Sequence, residues 1–361
     1  MIIHLIEQLL QTMRTAADNN DKICKDDTSK TIDGGVCEVN DMLHDMSTND
    51  NNVSICANCG KEGSDINNIC NKCKQVKYCN AICKKKHKKK HKKECKEHVR
   101  LATEKHNEEL RIAAELHEIE LFKQPPPAED CPICFLLLPS LTSGWRYMSC
   151  CGKIVCCGCC FAPVYDSQGN EVTEKVCPFC RAMAPTSYEE TIKREKNRVE
   201  MNDAIAIYSF GNYYRDGVNG YEQDYSKALE LWHRAGELGY GEAYCSIGYA
   251  HQHGEGVEVD EKKATVYYEI AAIGGDEDSR YNLGNNELRA GNTNRALKHY
   301  MIAIEGGSSE SLKMIRRIYN SGYATKEDYT KALHSYQEYL GEIKSKQRDE
   351  AAAYNERFRY Y

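Results

Sequence analysis

Long apolar runs are missing from this sequence. No stretch approaches the roughly 18 consecutive apolar residues that a membrane helix needs, which argues against a membrane partner. A basic leader is missing too: Met1 to Met13 (MIIHLIEQLLQTM) has no positive start, and His4, Glu7 and Gln8 break its apolar stretch, so it reads as a poor secretion signal. Strong charge of one sign is absent, and a net charge of -6 over 361 residues is too mild to imply nucleic acid or membrane as a partner of the whole chain. Histidine is absent between His117 and His233, which removes a catalytic cysteine–histidine pair from the middle of the chain. Apolar content, at 41%, is low for one compact globule; with 28% charged residues it points to folded pieces joined by polar segments.

Cysteine is what the sequence has in excess. Of its 20 cysteines, seven lie between Cys56 and Cys95 and ten between Cys131 and Cys180, leaving only Cys24, Cys37 and Cys245 outside. Without a secretion signal, thiolates on metal in a reducing compartment account for these clusters better than disulfides, so the cytoplasm or nucleus is expected.

The remaining chain divides by texture. Residues 1–50 open with a short amphipathic stretch (Ile2, Ile6, Leu9, Met13) and continue into Asp/Asn/Ser/Thr-rich sequence, expected to be disordered. Residues 96–124 are charged, free of glycine and proline, and carry Val99, Ala102, Leu110, Ala113, Leu116 and Ile119 at loosely helical spacing. A spacer helix and a coiled-coil strand both fit them. Pro125, Pro126 and Pro127 end that helix.

From residue 203 to 345 an internal repeat takes over. Ala228, Ala264, Ala296 and Ala332 recur at 36, 32 and 36 residues; four positions on stand Trp232, Tyr268, Tyr300 and Tyr336; three further come Ala235, Ala271 and Ala303, with Tyr339 in the last copy. Gly211, Gly248 and Gly284 mark matching points upstream, and the fourth copy lacks this glycine. Small residues let paired helices approach, aromatics are expected to fill the gap to the next pair, and copies that bury too little alone must stack. The pattern resembles Sel-like repeats, relatives of the tetratricopeptide repeat, which implies an all-α solenoid that scaffolds or binds proteins.

In residues 56–95 the candidate ligands fall into four pairs, Cys56/Cys59, Cys70/Cys73, Cys79/Cys83 and His91/Cys95, with His87 as an alternative. Two residues between cysteines make a tight knuckle, and three between ligands set them one helical turn apart. Four pairs make two closed tetrahedral zinc sites, which are structural. The pattern, with Tyr78 before Cys79, resembles the MYND zinc finger. That resemblance implies an interleaved arrangement (Cys56, Cys59, Cys79 and Cys83 on one zinc; Cys70, Cys73, His91 and Cys95 on the other) and binding of proline-containing peptides. No SET-type methyltransferase sequence surrounds it. The eight lysines of Lys84–Lys93 read as the solvated face of the last helix rather than as a phosphate-binding face.

In residues 131–181, Cys131-Pro132-Ile133-Cys134 and Cys177-Pro178-Phe179-Cys180-Arg181 bracket a dense middle, Cys150 to Cys160. The ends resemble a RING finger of all-cysteine kind. Lys153 stands where a histidine ligand is common, so Cys150 and Cys151 are the substitutes; Cys156 and Cys159 keep the family's frame better than Cys157 and Cys160. On that reading one zinc takes Cys131, Cys134, Cys156 and Cys159, and the other Cys150, Cys151, Cys177 and Cys180. The resemblance implies docking of a ubiquitin-conjugating enzyme without covalent chemistry, Ile133 being the apolar contact and Arg181 the bridging cation. Against that stand Lys153, the lack of a tryptophan in the following helix (Phe161, Val164, Tyr165), and Pro163 within it.

The chain is therefore expected to be multi-domain: two small zinc-stabilised α+β fingers holding four structural zinc ions, followed by an all-α helical-repeat solenoid. Two functions fit this organisation. One is a RING-type ubiquitin ligase whose MYND finger and repeats recruit substrates; the other is a non-catalytic zinc-finger adaptor or scaffold, transcriptional in one version.

Overall fold

The computed structural model describes residues 54–63, 66, 68–162 and 176–361. The expected N-terminal disorder, the helix at Met1 to Met13, and the positions of Pro163, Val164 and Tyr165 lie outside these residues. The described chain forms two compact units, divided after Glu118.

The first unit holds the small antiparallel pair β1 (Asn68–Ile69) and β2 (Lys77–Tyr78), then helix α1 (Ala81–Leu121). Asn80 starts the helix, its side chain accepting from Cys83 N at 2.8 Å. The helix is continuous through the expected spacer. Exposed ion pairs flank its surface, Arg100 between Glu97 and Glu104 and Arg111 between Glu108 and Glu115, at the i,i+3 and i,i+4 spacings that bring side chains of one helix together. It stops at Leu121, short of the three prolines, because a residue before proline is pushed out of the helical region.

The second unit begins with the hairpin β3 (Trp145–Met148) and β4 (Lys153–Cys156), antiparallel with Trp145 opposite Cys156, and the short helix α2 (Cys157–Phe161). Helix α3 (Tyr188–Glu200) leads into four helix pairs. These are α4 (Ala204–Asp216) with α5 (Tyr225–Glu237), α6 (Gly241–His253) with α7 (Glu261–Ile273), α8 (Glu277–Arg289) with α9 (Thr293–Glu305), and α10 (Ser309–Asn320) with α11 (Lys326–Ile343). Helix α12 (Lys346–Tyr354) follows. The helix starts are legible: Asp203, Asp224, Asp260 and Asp276 each cap the first turn of their helix through a side-chain oxygen.

The repeat alanines are fully buried, Ala228, Ala264, Ala296 and Ala332 alike. The aromatics do more than expected. Tyr268 shares a buried cluster with Leu283 of the next pair, and Tyr300 with Ile315, Ile318 and Ala332 of the next, while each ring also lies across the glycine of its own pair. A Cβ at Gly211 would stand 2.5 Å from the Trp232 ring, one at Gly248 2.8 Å from Tyr268, and one at Gly284 2.5 Å from Tyr300. The polar tip of each ring then meets an amide on the glycine-bearing helix: Trp232 Nε1 donates to Asn212 (3.1 Å), Tyr268 Oη to Gln252 (2.7 Å) and Tyr300 Oη to Asn285 (2.8 Å). The buried ring thus keeps its hydrogen bond. Gly248→Val should lower array stability by about 1–3 kcal/mol through overpacking, measured by denaturant unfolding. An unchanged midpoint would show that the pair tolerates a side chain there.

Candidate metal centres

Four knuckles of one design organise the cysteines. After the second cysteine comes a residue with left-handed backbone: Gly60 (φ 69), Lys74 (φ 56), Phe135 (φ 57) and Arg181 (φ 65). Its N–H donates to the carbonyl of the first cysteine, at 2.9 Å in Gly60, 3.0 Å in Lys74, 2.9 Å in Phe135 and 3.0 Å in Arg181. In three of the four, the residue before the first cysteine bridges antiparallel to the sixth after it: Ile55–Glu62, Asp130–Leu137 and Val176–Met183. Such a tight turn leaves two sulfurs on one side, aimed at a common point.

In the first unit the ligand atoms converge in two interleaved sets, Cys56, Cys59, Cys79, Cys83 and Cys70, Cys73, His91, Cys95, the atoms of each set within 4.8 Å of one another. Cys59 and Cys79 sulfurs are 3.7 Å apart, Cys79 and Cys83 3.5 Å, Cys70 and Cys95 3.6 Å, and Cys73 Sγ lies 3.2 Å from His91 Nε2. A tetrahedral zinc with Zn–S of about 2.3 Å holds its sulfurs about 3.8 Å apart, so these sets fit that ion. The thiols cannot all ionise unaided. Burial works against the Cys56 thiolate, yet N–H groups of Cys79, Asn58 and Cys59 bring it down to about 6; the hydrogen bond with Cys83, then burial, push its neighbour Cys79 up to about 12. The other set repeats the split, with Cys70 at about 6 and Cys95, raised by burial and by Cys70 and Cys73, at about 12. A divalent cation is what allows the full thiolate set.

His87, the alternative ligand, lies outside both sets. It stacks on His91 with ring centroids 5.8 Å apart and meets Tyr78 Oη at 3.2 Å, so it belongs to the packing around the buried Tyr78. Of the eight lysines, Lys84 is half-buried, donating to Asn71, and the other seven are exposed on α1, as expected of a solvated face.

In the second unit the sets are Cys131, Cys134, Cys156, Cys159 and Cys150, Cys151, Cys177, Cys180. Cys134 and Cys156 sulfurs are 3.7 Å apart, Cys151 and Cys177 4.0 Å, and Cys180 and Cys150 3.4 Å. Adjacent Cys150 and Cys151 reach one point because they sit in the turn joining β3 to β4, closed by Gly152 N donating to Met148 O at 2.7 Å; within a strand, neighbours would face opposite ways. Cys157 and Cys160 are elsewhere. Cys157 is fully buried among Tyr339, Ile343, Ala351 and Tyr360, and the Cys160 thiol points to Val155 O at 3.7 Å. Lys153 is exposed. Ile133 is half-buried against Cys131, Val155, Cys156 and Cys159, while Arg181 is exposed at the tip of its knuckle.

This second module is not self-contained, which sequence reasoning missed. Tyr339, standing where the other copies have alanine, reaches out of the array: Ser140 N donates to its hydroxyl at 2.8 Å, and the hydroxyl donates to Ser140 Oγ at 3.1 Å. Arg348 of α12 is fully buried and donates to Leu137 O (2.8 Å), Ile343 O (2.6 Å) and Leu136 O (3.3 Å), with Cys134 Sγ at 3.8 Å. Gly158 lies so close to this arginine that a Cβ would stand 2.9 Å from its backbone nitrogen. At the other end of the array, a Cβ at Gly152 would collide with the Arg198 guanidinium, itself paired with Asp203 at 2.6 Å. The departure of Tyr339 from the repeat pattern was the one visible signal.

Comparison with known proteins adds the families. Residues 56–95 match the MYND finger, and residues 204–240 and 241–276 match the Sel1 repeat. The ERAD-associated E3 ubiquitin-protein ligase component HRD3B of Arabidopsis thaliana is 28% identical over 103 residues, covering 28% of this chain and 16% of that protein. A Sel1 repeat protein from Oxalobacter formigenes is 29% identical, covering 44% of this chain and 66% of its own, with a TM-score of 0.38. A protective antigen of uropathogenic Escherichia coli strains, displaying an SLR fold, is 23% identical over 46% of this chain and 36% of its own, with a TM-score of 0.36. The chain thus spans less than two thirds of each of these proteins. Among the described residues no helix is long and apolar enough to cross a membrane. A zinc-binding MYND finger and a Sel1 helical array, both protein-interaction modules, stand in one chain.

Proposed function

We propose that this protein is a RING-type ubiquitin ligase in which residues 131–181 dock a ubiquitin-conjugating enzyme, the MYND finger binds proline-containing peptides, and the repeats hold substrates, in the cytoplasm or nucleus. What carries the reading is the second module's interleaved cysteine sets, joined by two knuckles whose tips present side chains to solvent. Phe135 is 75% exposed and Phe179 42%, and Arg181 is exposed as well. Phe135 and Arg181 hold a left-handed backbone, which costs a non-glycine residue about 1–2 kcal/mol. Side chains kept where glycine would be less strained are there for what they present. Arginine suits a bridging role because its planar fork can donate to two proteins at once. The Arabidopsis relative is, by its name, a component of an E3 ubiquitin-protein ligase, which supports a ubiquitin-linked role for the shared segment.

Four zinc ions, held by Cys56, Cys59, Cys79 and Cys83; by Cys70, Cys73, His91 and Cys95; by Cys131, Cys134, Cys156 and Cys159; and by Cys150, Cys151, Cys177 and Cys180, would brace these surfaces without chemistry of their own. Arg181→Ala should slow discharge of ubiquitin from a conjugating enzyme by about tenfold, the loss of one charge-assisted hydrogen bond, with zinc content unchanged. Ile133→Ala should weaken docking itself. Single-turnover discharge across a panel of conjugating enzymes is the test. No acceleration by wild type with any of them would sink the ligase reading and leave the adaptor. The adaptor draws its support from Ile133, half-buried in the module's own core, and from Phe161, whose ring packs tilted against Tyr354 and edge-on against Phe358.

A further inference from the structure

The segment that leaves α1 lies on the repeats as a ligand would. Leu121 is 1% exposed and shares a cluster with Ala264, Tyr268, Ala272 and Leu283, in a furrow bounded by α7 and α8. Phe122 tilts against the His299 ring with centroids 4.6 Å apart, and Arg295 and Lys298 stand over its face at 5.1 and 4.9 Å. Arg280 Nη1 donates to the Leu121 carbonyl, and Gln124 Nε2 donates to Glu305 at 3.0 Å. An aliphatic side chain, an aromatic side chain and a main-chain carbonyl are each read by a separate group of the array.

The fit is incomplete in one respect. Arg280 is 2% exposed, yet its Nε and Nη2 have no acceptor, and His299 Nδ1, equally buried, has none either. Unmatched buried donors are costly, and most so on a charged group. Burial pulls Arg280 down to about 10, and burial together with Arg280, Arg295 and Lys298 holds His299 neutral, down to about 3. Arg295 is paired with Glu287 at 2.7 Å, so the group short of an acceptor is the buried Arg280, and the segment continues with Lys123, the wrong sign to supply one.

We propose that this furrow is a peptide-acceptor site that the chain fills with its own residues 121–124, and that its exchange partner is a peptide of another protein carrying an aliphatic–aromatic pair followed by a carboxylate. The inference does not depend on the second cysteine module acting in ubiquitin transfer. A bound partner would trade the Leu121–Phe122 contacts for its own and give Arg280 the missing acceptor.

The test uses the full zinc-loaded chain and labelled peptides of residues 117–124, which contain no proline and so offer nothing to the MYND finger. Phe122→Ala removes a half-exposed ring and should bind the peptide about tenfold more tightly than wild type, because the fraction of open furrow rises. Changing Lys123→Asp in the peptide should tighten binding about tenfold again, the value of one charge-assisted hydrogen bond. A photo-crosslinker at the Phe122 position should mark residues 261–305. Leu121→Ser serves as second variant, with circular dichroism melting to check folding, and the crosslink in wild type at high peptide concentration needs no variant at all. Equal binding by wild type and variants, no gain from the aspartate, no saturable binding to either variant, or marks outside 261–305 would each overturn the proposal.

Discussion

Replacing Arg348 with methionine is expected to release two zinc ions per chain, that of Cys131, Cys134, Cys156 and Cys159 and, because the interleaved sets share one fold, that of Cys150, Cys151, Cys177 and Cys180, and to free the C-terminal helix with them. Four thiolates around a dication leave a site of charge -2 in a buried setting. The guanidinium of Arg348 stands 3.8 Å from Cys134 Sγ, and burial, which works against its charge, is more than offset by Cys156 and Cys134. The same side chain closes three backbone carbonyls, of Leu136, Leu137 and Ile343. Removing one partner of a buried charge pair costs about 3–5 kcal/mol because the other is left uncompensated. Arg348→Lys should rescue little, since an ammonium cannot fork to three carbonyls. Zinc per chain after equilibration with a competing chelator, together with thermal melting, reads the effect. Unchanged zinc content and melting in both variants would show that Arg348 merely fills space.

Much of this site could be read in the sequence, for local reasons. A knuckle with two intervening residues and a helical pair with three are complete geometric instructions, so sixteen candidate ligands could be named before any fold was known, and the structure gathers those residues into four sets. The choice between Cys156/Cys159 and Cys157/Cys160 rested on frame alone; in the structure Cys157 is turned into the C-terminal core. The stacking of the repeat helices followed from the period, whereas the aspartates that cap four of the eight were not singled out in the sequence, although they act locally.

What stayed hidden depends on partners far along the chain. Ser140 and Tyr339 are 199 residues apart, and Arg348 and Leu137 are 211. No periodicity reports such a contact, and Tyr339 looked like an end-of-array irregularity until its hydroxyl was seen to meet Ser140. Arg348 gave no signal at all, because an arginine in a charged C-terminal helix reads as surface. The aromatic–glycine contacts were half legible. The covariation of Gly211, Gly248 and Gly284 with Trp232, Tyr268 and Tyr300 was plain, but which helix each ring lies against required the pairing itself.

Cys73→Ala and Cys131→Ala should therefore do different damage, although each removes one ligand from one four-ligand set. A structural zinc supplies about 10–16 kcal/mol to the folding of a small finger, more than such a module has in hand, and interleaved sets share one fold. Each variant should thus lose the two zinc ions of its own module. In Cys73→Ala the loss of amide protection should stay within residues 54–118, since the repeats and the second module form a separate compact unit. In Cys131→Ala it should spread to Lys346–Tyr354 and the tail beyond it, because Arg348, Tyr339 and Tyr360 pack on the collapsing module. The tail is tied to it as well, through Ser143 Oγ donating to Arg359 O at 2.5 Å and Arg146 Nη2 to Arg357 O at 3.3 Å. Hydrogen exchange on the two full-length variants distinguishes these patterns. Protection of Lys346–Tyr354 that survives Cys131→Ala would mean that the C-terminal helix is held by the array alone, and that residues 131–181 fold without it.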